Sequence, residues 1–320
     1  LRTGQLLSER IEKVKSVAWA SDSETLFYTV DDESKRSYRL LRHRLGDSGE
    51  AELLYQEDDE RFRVAVWRAR SGELVFRGSF SHTTSEVAFL RADEPRGRWR
   101  LVAEREQDHE YTVEHRGNEL LIRTNDRGRN FRVVRAPIDS PGRASWNEVI
   151  PHRDDVMVEG LDVFEDFYVV LERETGLPHV RVVGFGSGES RRIPVEEPVY
   201  AIYPGDNEEM SAAAYRFRYE SLTTPDSVFD YDVEAGTKRL VKQIEVLGGY
   251  EPSAYRAEAR IERYSGGDGK NVVTTSLGNG SNTALEAGDV VSVFSVQDRI
   301  ENAVHLAGHV ARTGPRQWRP

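Results

Sequence analysis

The sequence predicts an all-β fold, a β-propeller built from four-stranded antiparallel blades. Three observations predict it: a strand-like pattern that repeats about every 47 residues, turn residues between the repeats, and almost no helical periodicity before residue 295. Units of about 40 to 50 residues with four short strands each are typical of propeller blades, where radial repetition shelters the strand edges. A β-sandwich is the alternative, but a sandwich does not require so even a step.

Two series of short β-rich runs carry the repeat. The first series begins at residues 26, 74, 120, 168 and 213, and the second at residues 38, 86, 131, 179 and 227, with steps of 45 to 48 residues in both. Turn pairs such as Ser71-Gly72 precede runs of the first series, and pairs such as Gly46-Asp47 follow runs of the second. The two series are therefore predicted to be the second and third strands of successive blades.

Five units follow one another along the chain, at about 14–60, 61–106, 107–154, 155–197 and 198–246. A turn at Thr3-Gly4 leads us to expect that the chain begins inside an earlier blade, so that residues 1–258 form a partial propeller. Residues 259–320 are expected to form a short irregular tail. Within the tail, 290–296 has a strand-like pattern, and Ile300, Val304, Ala307 and Val310 share one helical face, although such short patterns also arise by chance.

Composition narrows the partners and the compartment. The 320 residues include 55 acidic against 44 basic side chains, a net charge of −11, which argues against binding a phosphate backbone and mildly favours cationic partners. No apolar run approaches the length of a membrane span, so no membrane partner is predicted. The absence of cysteine excludes disulfides and thiolate chemistry and fits a reducing compartment, the cytoplasm.

Several stretches resemble the propeller of oligopeptidase B, a branch of the prolyl oligopeptidase family. They occur in the family's order: Val-Ala-Trp-Ala-Ser-Asp at 17–22, Thr-Thr-Ser-Glu-Val at 83–87, Asp-His-Glu-Tyr at 108–111, Arg-Thr-Asn-Asp-Arg-Gly-Arg-Asn-Phe at 123–131, Val-Glu-Gly at 158–160, Ser-Leu-Thr-Thr-Pro-Asp at 221–226, and Lys-Gln-Ile-Glu-Val at 242–246 followed by Tyr255-Arg256. No single motif is diagnostic, but the ordered set is fairly specific and favours this branch over the prolyl-specific one.

The resemblance implies a seven-bladed propeller that caps an α/β-hydrolase domain, of which about five blades and a fragment are expected here. That hydrolase carries a Ser-Asp-His triad and cuts short peptides after Lys or Arg, while the propeller keeps folded proteins out. The likeness ends at Gly278, and the remaining 43 residues (278–320) are too few for a hydrolase core. This chain alone is therefore expected to be catalytically inactive, as a fragment or a disrupted reading frame; a stand-alone propeller that serves as a binding module is the alternative.

No catalytic residue is predicted within the chain. The run Gly-Phe-Gly-Ser-Gly at 184–188 comes closest to a Gly-x-Ser-x-Gly nucleophile elbow, but Phe185 and Glu189 stand where glycines are required, so Ser187 is assigned to a hairpin loop. Ser281 fails in the same way, with Asn279 and Thr283 at the glycine positions.

No metal or cofactor site is predicted either. His109 and His115 are six residues apart, roughly 20 Å along a strand, which is too far to share an ion. The glycine-rich run at 266–270 lacks the spacing of a phosphate-binding loop. The acidic runs at 31–33 and 57–60 are interpreted as solvated turns.

One face of the predicted propeller holds the candidate substrate contacts. In a meander, the loop between strands two and three lies at the same end as the connection to the next blade. These loops are predicted at 31–37, 79–85, 125–130, 173–178 and 220–226. By resemblance this face meets the hydrolase domain. In the prolyl-specific relatives the loop that matches His82, Thr83 and Thr84 comes near the bound peptide, so these three are the substrate-binding candidates.

Overall fold

The structure, a computed structural model, describes residues 10–47, 49–243, 254–265, 269–275, 290–295, 303–306 and 314–317. It divides into two compact units, Leu1–Ile244 and Glu245–Pro320. The described residues of the first unit form five four-stranded antiparallel sheets, each a meander of consecutive strands. The five predicted blades are therefore confirmed.

The strands of the blades have the following bounds. Blade 1 is β1 (Val14–Trp19), β2 (Thr25–Asp31), β3 (Ser37–Arg44) and β4 (Glu52–Gln56). Blade 2 is β5 (Arg63–Arg68), β6 (Leu74–Phe80), β7 (Ser85–Arg91) and β8 (Arg100–Leu101). Blade 3 is β9 (Tyr111–Arg116), β10 (Glu119–Thr124), β11 (Arg132–Pro137) and β12 (Asn147–Ile150). Blade 4 is β13 (Val156–Val163), β14 (Phe167–Glu174), β15 (Leu177–Gly184) and β16 (Ser190–Arg192). Blade 5 is β17 (Tyr200–Pro204), β18 (Ala214–Ser221), β19 (Ser227–Asp232) and β20 (Thr237–Gln243).

The hydrophobic core lies between the blades, in four clusters that match the four junctions of neighbouring blades. Side chains of a strand alternate between its two faces, and in β10 this sends Leu120 and Ile122 toward blade 2 and Leu121 toward blade 4. Such strands are buried on both sides, which explains why their sequence is a continuous apolar run rather than an alternating one.

Strands also occupy described parts of the region beyond residue 258, for which the sequence predicts an irregular tail. In the second unit β21 (Ala254–Ser265) pairs with β22 (Gly269–Thr275) and β23 (Val290–Ser295), and β24 (Ala303–Leu306) pairs with β25 (Gly314–Gln317). The signal for β21 is an alternation of apolar and charged residues that ends at a buried Ile261. The expected helical face is wrong at Val304, which lies in β24, while Ile300, Ala307 and Val310 fall outside the described residues.

Helical structure is minor in the described part of the chain. It consists there of one 3-10 turn, Arg143–Ser145, between β11 and β12. None of the helices among the described residues is long and apolar enough to cross a membrane.

Candidate partner-contact face

The loops between second and third strands share one face of the first unit with the connections between blades. We call this the loop face; its loops are 32–36, 81–84, 125–131, 175–176 and 222–226, and its connections are 57–62, 102–110, 151–155 and 193–199. Loops and connections bond to each other directly. Asp108 N donates to Thr84 Oγ1 at 3.0 Å, and Asn125 N donates to Glu110 O at 3.1 Å. Hydrogen bonds therefore link the loops and connections of this face to one another.

The structure places the three predicted substrate-binding residues in one tight turn at the tip of blade 2. Ser81 Oγ accepts hydrogen bonds from the backbone N–H groups of Thr83 and Thr84, at 3.3 and 3.1 Å, and Ser81 N donates to Thr84 O at 2.9 Å. His82 and Thr83 are exposed, whereas Thr84 is buried with 2% of its surface accessible. Two of the three are thus available to a ligand, and Thr84 supports the turn.

Within the predicted loop 220–226, blade 5 carries a second turn of the same build, a likeness to blade 2 that was not predicted. Ser221 Oγ accepts from Thr223 N and Thr224 N at 3.1 and 2.8 Å, and Ser221 N donates to Thr224 O at 2.9 Å. Its tip residue, Leu222, is 95% exposed. The signal was present in the sequence, because Ser-His-Thr-Thr at 81–84 and Ser-Leu-Thr-Thr at 221–224 are 140 residues apart, which is three steps of the blade repeat.

A carboxylate from the preceding connection braces the blade 5 loop. Glu197 accepts hydrogen bonds from the hydroxyl groups of Tyr219, Thr223 and Thr224. Hydrogen bonding by the Ser221 hydroxyl, followed by that of Thr223 and Tyr219, lowers the pKa of Glu197 to about 2, so it is ionised throughout the neutral range. The exposed Leu222 therefore lies at the tip of a turn whose backbone is fixed by hydrogen bonds.

We expect Ser221→Ala to loosen this loop without unfolding the blade. The substitution removes the acceptor of two backbone N–H groups, and each such bond contributes about 1 kcal/mol. Hydrogen exchange of the Thr223 and Thr224 amides should become about fivefold faster or more. Ser211→Ala, at an exposed serine of the same blade, is the control. Unchanged exchange in Ser221→Ala would show that the hydroxyl does not hold the turn.

Beneath the loop face, Glu57 joins the end of blade 1 to blade 2 and to the connection that follows blade 2. Its carboxylate accepts from Ser79 Oγ at 2.5 Å, Tyr55 OH at 2.9 Å and Arg105 Nη2 at 2.5 Å, and only 4% of Glu57 is exposed. Burial raises the pKa of this group, but the bonds from Arg105, Ser79 and Tyr55 outweigh burial and lower it to about 2. The interpretation of 57–60 as a solvated turn is therefore wrong for Glu57, because the turn carries this side chain inward.

Glu172 has the corresponding role between blades 3 and 4. Its side chain is fully buried and accepts bonds from Arg153 and from Arg181, the latter at 2.6 Å, with Arg192 at 3.5 Å. Burial raises the pKa of Glu172, and the Arg181 bond and the neighbouring guanidinium charges lower it by more. Both buried carboxylates thus serve structure by fixing the connections that form the loop face.

His109 pairs with a hydroxyl group as a catalytic base would, but its hydrogen bonds exclude that role. Its Nε2 lies 2.8 Å from Thr124 Oγ1, a hydroxyl-imidazole pair, but Arg143 Nη2 lies 2.5 Å from Nδ1. A guanidinium only donates, so Nδ1 is the unprotonated nitrogen and Nε2 carries the hydrogen that points at Thr124. Burial lowers the pKa of His109, which keeps the ring neutral. It therefore has no free lone pair with which to take the Thr124 proton.

Ser187 and His115 also have structural roles. Ser187 lies in the turn between β15 and β16, where Gly188 N donates to Gly184 O at 3.0 Å. His115 is buried between Ser71 Oγ and Gly117 O, at 2.7 and 2.8 Å. Among the described residues, no three His, Asp or Glu side chains are grouped so that they could hold a metal ion.

Comparisons with known proteins agree with this geometry. The family model of the prolyl oligopeptidase N-terminal β-propeller domain matches residues 1–244. Dipeptidyl aminopeptidase BI of Pseudoxanthomonas mexicana is 35% identical over 262 residues, which are 81% of this chain and 36% of that protein. Protease 2 of Moraxella lacunata is 33% identical over 262 residues, which are 81% of this chain and 37% of that protein.

A solved structure gives the same result. Oligopeptidase B from Trypanosoma brucei, in its closed form with covalently bound antipain, superimposes with a TM-score of 0.71 at 30% identity, over 84% of this chain and 40% of that one. The chain thus spans about two fifths of the length of the relatives it matches. The meander order of the strands in each blade and the family match describe the same kind of domain, and the chain belongs to the prolyl oligopeptidase family, of which it carries the N-terminal β-propeller domain.

Proposed function

We propose that this chain is the substrate-gating part of a cytoplasmic serine oligopeptidase that cuts short peptides after Lys or Arg. In this proposal the propeller part extends over residues 1–258, and the catalytic triad belongs to an α/β-hydrolase domain that meets the loop face. The observation that carries the proposal is the match of residues 1–244 to the propeller domain of a peptidase family. The chain by itself is then inactive toward peptides.

The hydrogen bonds that fix the loops of the loop face support a gating role. A gate must keep its shape while short chains pass and folded domains are rejected, and that requires loops fixed by their own bonds. The turns at Ser81 and Ser221 and the buried carboxylates Glu57 and Glu172 supply such bonds. The net charge of −11 adds an attraction for cationic peptides.

Of the three candidates His82, Thr83 and Thr84, the first two are our proposed peptide contacts on this face and Thr84 is their support. His82 and Thr83 present exposed polar groups at the tip of blade 2, and Thr84 fixes the turn through Asp108 N. Leu222 at the equivalent place in blade 5 offers an apolar contact to the hydrolase domain. The backbone of this turn is already fixed by its own hydrogen bonds, so it loses little conformational freedom when a partner covers it.

A hybrid enzyme tests the proposal. The propeller stretch of the Moraxella lacunata protease is replaced by the matching stretch of this chain, and cleavage of an Arg-containing chromogenic tripeptide is measured. We expect activity in the hybrid and none in this chain alone. His82→Ala in the hybrid should raise KM about threefold with kcat nearly unchanged, since it removes a binding contact and no catalytic group. Asp139→Ala, on an exposed turn outside the loop face, is the control.

Two outcomes would contradict the proposal. A hybrid that folds but cleaves nothing would show that this propeller does not serve a peptidase and would favour the stand-alone binding module. Robust cleavage by this chain alone would show that it contains a nucleophile of its own.

A further inference from the structure

Arg70 connects blades that are not neighbours. It lies in the turn between β5 and β6 of blade 2, and its three kinds of nitrogen donate to acceptors on two other blades. Nη2 donates to Asp162 Oδ1 at 2.8 Å and Nη1 to Val163 O at 2.8 Å, both in blade 4, while Nε donates to Asn207 O at 2.7 Å in blade 5. The guanidinium also lies over the Phe164 ring, 4.4 Å from its centroid.

The acceptors of Arg70 are themselves held in place. Tyr215 of blade 5 donates from its hydroxyl to Asp162 Oδ2 at 2.9 Å, so both oxygens of that carboxylate are engaged. Glu114 of blade 3 lies near Arg70 and Asp162 and lines the same cavity of about 260 Å³. Side chains from four consecutive blades thus meet at one point.

A second bridge runs beside the first. Arg116, at the end of β9, donates from Nε to Glu165 O at 2.6 Å, and Glu165 N donates to Met210 O at 2.9 Å. These bonds join the ends of blades 3, 4 and 5 at the same level as Arg70. Arg116 is the last residue of a first strand, and Glu165 and Met210 lie in turns that follow first strands, which is the end opposite the loop face.

This arrangement locates the contacts at the axis of the propeller. Blades radiate from a central channel, so blades that are not neighbours approach one another only at that channel. Arg70 joins blade 2 to blade 5 at hydrogen-bonding distance, since a guanidinium presents donors in several directions at once. The side chains of Arg70 and Asp162 are only 15% and 20% exposed, as expected for groups that fill a constriction.

We propose that Arg70 closes the turn end of the axial channel by tying blades 2, 4 and 5 together, so that peptides reach the centre only from the loop face. The route of the peptide rests on the proposed function. The closure itself does not, and it can be measured in this chain without any catalysis.

The closure is tested by a distance measurement between spin labels. The chain contains no cysteine, so cysteines introduced at exposed Glu73 of blade 2 and exposed Glu209 of blade 5 are the only attachment sites. Pulsed electron paramagnetic resonance should give a narrow distance distribution in this background. Arg70→Ala should shift it to longer distances and widen it about twofold, because the turns lose their tie.

Two further variants make the test specific. Arg68→Ala is the matched control, since Arg68 bonds to Gly72 of its own turn and to Ser21 of blade 1 and should leave the distribution unchanged. Arg70→Lys keeps the positive charge without the fork of donors and should widen the distribution by an intermediate amount. If Arg70→Ala or, should that variant not fold, Arg70→Lys leaves the distribution as narrow as the parent, Arg70 does not close the channel.

The consequence for peptides is measured in the hybrid enzyme described above. Arg70→Ala should raise kcat/KM about fivefold for an Arg-containing peptide of about 30 residues and leave the tripeptide value unchanged, because it adds a second entrance. An inactive hybrid would overturn the proposed function and leave the distance result standing. If the Arg70→Ala substitution widens the spin-label distances but leaves the rates of the hybrid unchanged for both peptides, the assigned peptide route is overturned.

Discussion

Glu57→Ala is expected to lower the free energy of unfolding of the first unit by about 3 kcal/mol at pH 7. The substitution removes the nearest carboxylate of the partly buried Arg105, which keeps only the more distant Glu86 at 3.9 Å, and it removes the acceptor of buried Ser79 and of Tyr55. Removing one partner of a buried pair costs more than the pair contributes, because the other charge stays desolvated. Urea denaturation followed by tryptophan fluorescence measures the change.

The run that contains Glu57 also supplies its control. Glu60 is three residues away, exposed, and of the same residue type, so Glu60→Ala should change stability by less than about 0.5 kcal/mol. Equal effects of the two substitutions would show that Glu57 does not join the blades.

Acid titration gives an independent readout of Glu57. Its pKa of about 2 in the folded protein lies below the ordinary value of 4.5, so its stabilisation is complete above pH 4.5 and is lost as pH falls toward 2. Glu57→Gln should therefore be destabilised at pH 7 and approach the parent protein near pH 2.

Glu114→Gln is expected to have the opposite effect and to stabilise the first unit by about 2 kcal/mol at pH 8. Burial raises the pKa of Glu114 to about 7, against the lowering effect of Arg70 and with a further rise from Asp162. The folded protein therefore holds this proton more tightly than the unfolded chain. As pH rises from 4.5 to 7 the unfolded chain releases this proton while the folded protein keeps it, so the parent protein loses stability that glutamine retains.

The measurement is a pair of stability curves from pH 4 to pH 8. Parent and Glu114→Gln should coincide near pH 4 and diverge between pH 4.5 and 7. Glu104→Gln, at an exposed carboxylate of the connection between blades 2 and 3, should follow the parent throughout. A constant difference between parent and Glu114→Gln across the whole range would mean that the effect does not come from ionisation.

The blades could be predicted from the sequence because their information is local and repeated. Runs such as Leu120 to Ile122 need only their own residue types and the turns beside them to indicate a strand, and the repeat then adds the blade. The same logic holds for β23, whose apolar run was visible at 290–296.

The bridging contacts could not be predicted because they depend on which turns meet in space. Arg70 and Asn207 are far apart in the sequence, and nothing near either residue shows that they meet. Glu57 looks like its acidic neighbours until the turn shows which side chain points inward. The loop at Ser221 could be predicted in part. Its sequence resembles that of the loop at Ser81, but only the fold shows that both loops lie on the same face.

The central claim, that this propeller gates a peptidase, is tested most directly by substrate size in the hybrid enzyme. The hybrid is given the same Arg-containing sequence twice, once as a free short peptide and once within an exposed loop of a stably folded protein. We expect the hybrid to cleave the free peptide and to leave the folded protein intact, whereas the hydrolase part without a propeller should cleave both. Cleavage of the folded protein by the hybrid as fast as the free peptide would contradict the claim.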